Sequence, residues 1–282
     1  FRSSIKEDPQ RAKDLVADGV HPVSNRAYVK IGSFMAKILE DKWGKEGLKR
    51  YHFSGAIPFF ADYMKICKEK RNDFTCAFPD QLPRVVSEWN ESWSRSSGKV
   101  RGLRIDSTSN LEEVAAELRS ASRSASAYPD FSRELGNLTW TFLQKGENEK
   151  SLQAGELGAS LYPDSARMIA LYGITLAALS DQPRGVAYLK RAYQLDKESP
   201  AEPDWLTDYA EELATAGKMN QAMQLMRAAV ELYPKEPEVL SDMGEAYLLV
   251  NDLRNAREYF ERVLAIDPKN VRAKSVLEQI GR

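Results

Sequence analysis

The two histidines are the first residues to test for chemistry, because imidazoles at helical spacing hold catalytic metals. His21 and His52 lie 31 residues apart, and neither belongs to an H-E-x-x-H motif, which would place two imidazoles on one helix face. We expect His21, which precedes Pro22, to be a loop residue and His52 to be packed or exposed without a ligand role. The sequence also contains no G-x-S-x-G elbow, no G-x-x-x-x-G-K-[ST] phosphate loop and no G-x-G-x-x-G turn after a strand. We therefore predict no metal site and no cofactor for the residues of this chain.

The two cysteines, Cys67 and Cys76, allow two interpretations. They are either two small apolar side chains near a helix end or a disulfide that closes a short loop. The disulfide requires an exported protein, because reducing compartments keep thiols free. Two cysteines without neighbouring histidines make a poor metal site.

Charge and hydropathy exclude some partners. Forty basic and 41 acidic side chains leave the chain nearly neutral, which predicts no nucleic-acid partner. Residues 1–100 carry 18 basic and 13 acidic side chains, whereas residues 201–282 carry 10 and 15.

No apolar run approaches the roughly 18 residues of a membrane span. The segment "FRSSIKEDPQ" shows neither a signal peptide nor an initiating Met, so we expect a fragment or a processed product, and the compartment stays undetermined.

The second half of the chain contains an internal repeat. In "PEVLSDMGEAYLLVNDLRNAREYFERVLAIDP", residues 237–268, small residues stand at Gly244 and Ala256, an aromatic at Phe260 and a closing proline at Pro268. Small residues allow two antiparallel helices to approach closely. This pattern resembles the 34-residue tetratricopeptide repeat. Similar frames begin at residues 132, 166 and 203, and "ESPAEPD" inserts three residues before the third.

The repeat frame predicts the fold class. We expect an all-α protein: a tetratricopeptide-type α-solenoid of helix pairs preceded by a smaller, mainly helical domain. The predicted domains are residues 1–110 and 111–282. The second should hold about four repeats, with "VRAKSVLEQIGR" as the capping helix that covers the last apolar face.

The resemblance to tetratricopeptide repeats implies a groove that holds a protein or peptide. Groove-facing positions are the second, fifth and ninth of each first helix; in the last two repeats they are Asp204, Thr207, Glu211, Glu238, Ser241 and Glu245. Four of these are carboxylates, which favours a basic or polar partner, although they could equally form a solvated helix face. The Lys and Asn residues of a carboxylate clamp are absent, so we predict no grip on a partner's terminal carboxylate. Self-association through the array is a further possibility.

The N-terminal part contains two amphipathic helices. The first covers residues 28–43 and ends at Gly44, and its apolar positions are Ile31, Phe34, Met35, Ile38, Leu39 and Trp43. We expect Phe34, Met35, Ile38 and Leu39 to be buried against the second helix, residues 56–67. A helix of about ten residues should follow in "FPDQLPRVVSEWNESW". The remaining expectations are a short strand at residues 103–105 and a helix at residues 111–127.

Residues 20–70 resemble part of a peptidase family. A tyrosine four residues before a glycine (Tyr28 and Gly32), a helix ending in Gly44 and then "LKRYHFSGAIPFFADYM" are similar to the segment after the metal site in gluzincin metallopeptidases. That resemblance implies that Tyr28 donates a hydrogen bond to the oxyanion, with its hydroxyl at a concavity. "YVKIG" has one residue more between Tyr and Gly than the family's Y-x-K-G turn.

Two functions therefore compete. The first is a non-catalytic scaffold, in which the repeats adjoin the non-metal-binding remainder of a peptidase-like domain. The second is the C-terminal part of a zinc metallopeptidase whose H-E-x-x-H helix lies upstream of Phe1; zinc would then be the cofactor, and whether the protein is an enzyme stays open.

Overall fold

The computed structural model describes residues 27–69, 81–100, 102–123 and 128–281, and the secondary structure in these ranges is helical throughout, with no strand. The chain divides into two compact units. One comprises residues 1–99 with 123–128, and the other comprises residues 100–122 with 129–282. The fold class predicted from the sequence, an all-α solenoid of helix pairs after a smaller helical domain, is confirmed.

The first unit contains helices α1 (Ala27–Ser54), α2 (Ala56–Glu69) and α3 (Gln81–Lys99). Helix α1 is broken at Gly44, whose φ of 70° lies in the left-handed region that favours glycine. Helix α2 packs against both α1 and α3. The core of this unit contains Met35 and Leu39 of α1, four residues of α2 and Val86 of α3. The indole of Trp93 in α3 donates a hydrogen bond to the Ser54 carbonyl at 2.7 Å.

Several expectations for this part of the chain are wrong. Phe34 is 45% exposed and Ile38 only partly buried, so the buried stripe of α1 is narrower than predicted. Helix α3 has 19 residues instead of about ten. Residues 103–105 form no strand, because a turn follows in which the Asp106 carboxylate accepts the Thr108 backbone N–H at 2.9 Å.

Cys67 is buried and disulfide-bonded. This finding resolves the choice left open for Cys67 in favour of the disulfide. The other cysteine, Cys76, lies outside the described residues.

The second unit begins with α4 (Leu111–Arg123) and continues with four helix pairs. The first pair is α5 (Ser132–Lys145) with α6 (Asn148–Leu161), and the second is α7 (Ala166–Ala178) with α8 (Gln182–Leu195). The third pair is α9 (Pro203–Thr215) with α10 (Met219–Leu232), and the fourth is α11 (Pro237–Leu249) with α12 (Leu253–Ile266). Helix α13 (Val271–Ile280) covers the end of the fourth pair.

Local sequence explains where these helices begin and why they pair. The carboxylates of Asp181 and Asp252 each accept a backbone N–H from the first turn of α8 and α12, and the side-chain amide oxygen of Asn270 accepts one from α13. Within the fourth pair, the backbone of Gly244 lies directly against the Phe260 ring, where a Cβ would come within 2.9 Å of it. The small residue therefore allows the close approach that the repeat pattern predicts.

The junction between the second and third pairs differs from the others. At the first junction, α7 packs on α5 and α6, and at the third, α11 packs on α9 and α10. At the second junction it is α10, the second helix of its pair, that packs on α7 and α8. The connection before α9 spans residues 196–202, whereas the connections before α7 and α11 span only 162–165 and 233–236. Ser199 and Ala201 of the longer connection are buried, and the hydroxyl of Tyr233, the residue after α10, donates to the Ala201 carbonyl at 2.7 Å.

Helix α7 consequently lies in the centre of the second unit. It packs against α5, α6, α8 and α10, and every residue from Met168 to Ala178 is buried. Its sequence, "ARMIALYGITLAA", is apolar on all sides, as expected for a helix without a solvent face.

We call the second junction, where α10 packs in the place of α9, the exchanged junction. It also brings the first and third pairs into direct contact. The rings of Trp140 on α5 and Tyr209 on α9 meet edge to face, with centroids 4.4 Å apart. The Glu212 carboxylate accepts hydrogen bonds from the Trp140 indole and the Gln144 amide, both at 3.0 Å. One side of α9, at Tyr209 and Glu212, is therefore in contact with α5 of the first pair.

Candidate partner-binding surface

The first helices of the third and fourth pairs enclose a concave surface together with α13. Two adjoining cavities of about 420 and 560 Å³ lie there and share Thr207, Asp208, Asp242 and Arg272. We call the surface of both cavities the acidic cleft. It is the part of the array where helices α9 and α11 present their inner faces side by side.

All six groove residues predicted from the repeat frame line the acidic cleft. Thr207, Glu211 and Glu245 line the smaller cavity, and Asp204, Glu238 and Ser241 join Thr207 around the larger one. Asp204, Glu211 and Glu238 are exposed, whereas Ser241 is buried and its hydroxyl donates to the Pro237 carbonyl of its own helix at 2.8 Å. The structure thus brings the six positions together, and their role in binding stays a prediction.

Three charged residues of the cleft were not predicted from the sequence. Asp208 and Asp242 both occupy the sixth position of their helices, 34 residues apart. This recurrence of an aspartate in the repeat frame was a usable signal. Arg272 comes from the capping helix α13, and its guanidinium forms a salt bridge with Glu245. The repeat frame of the helix pairs does not extend to α13, so it gave no position for Arg272.

The electrostatics of the cleft are dominated by carboxylates. Asp204, Asp208, Glu211, Glu238, Asp242 and Glu245 face a single guanidinium, that of Arg272, among the described residues that line the two cavities. Burial raises the pKa of Asp242 to about 6, and the Glu245 carboxylate acts in the same direction. Arg272 and the Thr207 hydroxyl oppose this shift by stabilising the charged form.

The residues that the peptidase resemblance singled out are only partly described. Tyr28 lies in the first turn of α1, but its side chain is outside the described part of the structure, as is that of His52. His21 falls in the N-terminal segment that is not described. In the described ranges, no group of three or more His, Cys, Asp or Glu side chains is arranged to hold a metal ion. No helix in those ranges is long and apolar enough to cross a membrane.

The fold and the cleft define an all-α repeat protein, and comparison with known proteins specifies the repeat. Residues 213–280 match the model of the tetratricopeptide repeat, which agrees with the helix pairs seen in that part of the chain. Two curated relatives are the aspartyl/asparaginyl beta-hydroxylases of Mus musculus, 28% identical over 141 residues, and Homo sapiens, 26% identical over 141 residues. Each alignment covers 46% of this chain, but only 19% of the mouse protein and 18% of the human one.

Solved structures with similarity to this chain include other repeat proteins. MamA residues 41 to the end from Desulfovibrio magneticus RS-1 is 19% identical and covers 55% of this chain and 85% of its own, with a TM-score of 0.30. YrrB, described as a TPR protein with an unusual peptide-binding site, is 16% identical and covers 80% and 99%, with a TM-score of 0.29. At these TM-scores the superpositions carry no argument about this chain.

Proposed function

We propose that this chain is a binding scaffold whose acidic cleft holds a basic segment of a partner protein. A repeat array suits protein binding, because its helix pairs form extended concave surfaces. Helix α9 contacts the first pair through Tyr209, but its residues Thr207 and Glu211 line the open cleft that it shares with α11. This opening supports a binding site in the C-terminal half of the array.

The single observation that carries the proposal is the charge of the cleft. Six carboxylates with one opposing guanidinium leave a large negative excess on a concave surface. Charge complementarity accelerates encounter and discriminates against acidic partners. A segment rich in Lys or Arg has the matching chemistry.

The test is a double charge reversal, Glu211→Lys with Glu238→Lys. Both side chains are exposed and neither forms a salt bridge with another described residue, so the fold should persist. A lysine-rich peptide should bind at least tenfold more weakly to this variant at low salt, and its affinity should depend less steeply on salt concentration. The control is Glu258→Lys with Glu261→Lys, an equal charge change on α12 outside the cleft. Equal losses in both variants, measured by titration calorimetry, would contradict a specific site.

A second candidate function rests on the first unit. The helix break at Gly44 lies where the resemblance to gluzincin metallopeptidases places a helix end, which supports a peptidase-like origin for residues 20–70. The described residues offer no zinc ligand set, so no hydrolytic step is derived for them. Reading the coding sequence upstream of Phe1 is the decisive experiment. An H-E-x-x-H helix there would favour the metallopeptidase, and zinc analysis of the longer protein would test it.

A further inference from the structure

We infer that the acidic cleft recognises aliphatic side chains of its partner as well as basic ones. This inference rests on the proposed function and specifies the partner: a segment in which Leu- or Met-like residues are flanked by Lys or Arg. The evidence is the set of residues that line the smaller cavity. Its apolar lining residues are Ala210, Ala214, Met219, Ala222, Met226, Ala246 and Leu249.

Part of the apolar lining is buried. Ala222 and Met226 of α10 are buried behind the two inner helices, and Ala210 of α9 is buried beside them. Because these side chains are small or flexible, α9 and α11 leave an open cavity of about 420 Å³ between them. The carboxylates of Asp208 and Glu211 line the same cavity from α9, and those of Asp242 and Glu245 line it from α11.

One of the residues that line the cavity is an exposed apolar side chain. Leu249 is 72% exposed at the last residue of α11, and Val250 and Leu253, 44% and 46% exposed, follow it in the turn to α12. Water-exposed aliphatic residues next to a partly apolar cavity give a partner surface that a purely basic peptide would leave unused. The carboxylates that line the cavity indicate the charge of the partner. They complement a segment that carries Lys or Arg beside its aliphatic residues.

The experiment compares three synthetic 15-residue peptides with equal numbers of Lys against the full chain. In the first, Leu residues recur at helical spacing on one face between the Lys residues; in the second, every Leu is replaced by Ser. In the third, the Leu residues are scattered around the helix. We expect the first peptide to bind about tenfold more tightly than either of the others, from the burial of one or two aliphatic side chains.

The matched variants are Leu249→Gln and Val271→Gln. Both remove an aliphatic side chain that is largely exposed, 72% for Leu249 and 79% for Val271, so neither should affect folding. Of the two, Leu249 lines the cavity and Val271 does not. Leu249→Gln should reduce the preference for the Leu-faced peptide to about threefold or less, and Val271→Gln should leave it unchanged.

The outcomes separate the two proposals. If the Lys/Leu and Lys/Ser peptides bind equally well, the basic partner stands and the aliphatic preference is overturned. If no lysine-containing peptide binds, the proposed function fails and the inference fails with it. A mass in solution that rises with protein concentration and falls with Leu249→Gln would make a second copy of the chain the occupant, which would also overturn the inference.

Discussion

The second and third junctions of the repeat array both join two helix pairs, but a different helix of the following pair makes the contact at each. At the third junction α11 follows α9, and their inner faces line an open cleft. At the second junction α10 takes the place next to α7, and α9 lies against α5 through Tyr209 and Trp140. The difference coincides with three additional residues in the connection 196–202. The longer connection therefore accompanies the junction at which α9 contacts α5.

The largest expected effect concerns the close packing inside the second pair. A Cβ on Gly185 would lie 2.7 Å from the Ala177 backbone nitrogen and 2.9 Å from its Cα, and backbone cannot move aside easily. We expect Gly185→Ala to lower the free energy of unfolding by about 3 kcal/mol, the upper range for overpacking. Urea denaturation measures the change.

The control for this substitution is Gly136→Ala. A Cβ there would meet the Cδ1 atom of Leu171 at 2.8 Å, and that side chain can rotate away. Since both substitutions gain the same helix propensity, a similar cost for the two would show that the second pair is less rigidly packed than the contacts indicate.

The next effect tests the covered junction itself. Trp140→Ala removes the ring that packs on Tyr209 and one of the two donors to Glu212. We expect a loss of about 2 kcal/mol, below the value for a fully buried tryptophan because Trp140 is half-buried. Trp205→Ala is the matched control, because Trp205 also contacts Tyr209 but lies on the same helix. If Trp205→Ala proves the more costly substitution in thermal unfolding, the contact between the first and third pairs contributes little.

The smallest effect belongs to the open cleft and depends on pH. The pKa of Asp242 is raised to about 6 in the folded protein, so the folded state binds its proton more tightly than the unfolded state does. The contribution of Asp242 to stability is therefore fully present below pH 4 and is lost as the pH rises to about 6. Asp242→Asn should be more stable than the wild type at pH 7.5, by about 1 kcal/mol or less after solvent screening.

The control for the pH experiment is Asp204→Asn, which removes an exposed carboxylate of the same cleft. It measures how much the loss of one of the six negative charges of the cleft changes stability, apart from any effect of burial. A gain at pH 7.5 that is equal in both variants would assign the effect to net charge and not to the burial of Asp242.

The sequence predicted the helix pairs because their determinants are local. The small residues Gly244 and Ala256 have small counterparts 34 positions earlier, and capping residues such as Asp181 and Asp252 mark where helices begin. The predicted groove positions lie together in the structure for the same reason, since the frame sets which side of α9 and α11 they occupy. The aspartate at the sixth position of each helix was visible in that frame but was not used.

The exchanged junction could not be derived in the same way. An insertion at "ESPAEPD" shows that a connection is longer, but the direction in which the next helix leaves depends on contacts such as that between Tyr233 and Ala201. The continuous apolar sequence of α7 was the available signal, because a helix without a polar side needs neighbours all around. In the first unit, hydrophobic spacing predicted α1 and α2 but overestimated burial at Phe34, since spacing alone does not give the width of a buried stripe.

The contact between α5 and α9 has a consequence for cooperativity. In an array where each repeat touches only its neighbours, stability is a sum of nearest-neighbour terms, and terminal repeats can be removed one at a time. Here the first and third pairs share Trp140, Tyr209 and Glu212, and both pack against α7. The first three pairs should therefore unfold as one cooperative block, with the amides of α7 among the slowest to exchange with solvent, while the fourth pair and α13 can fray independently.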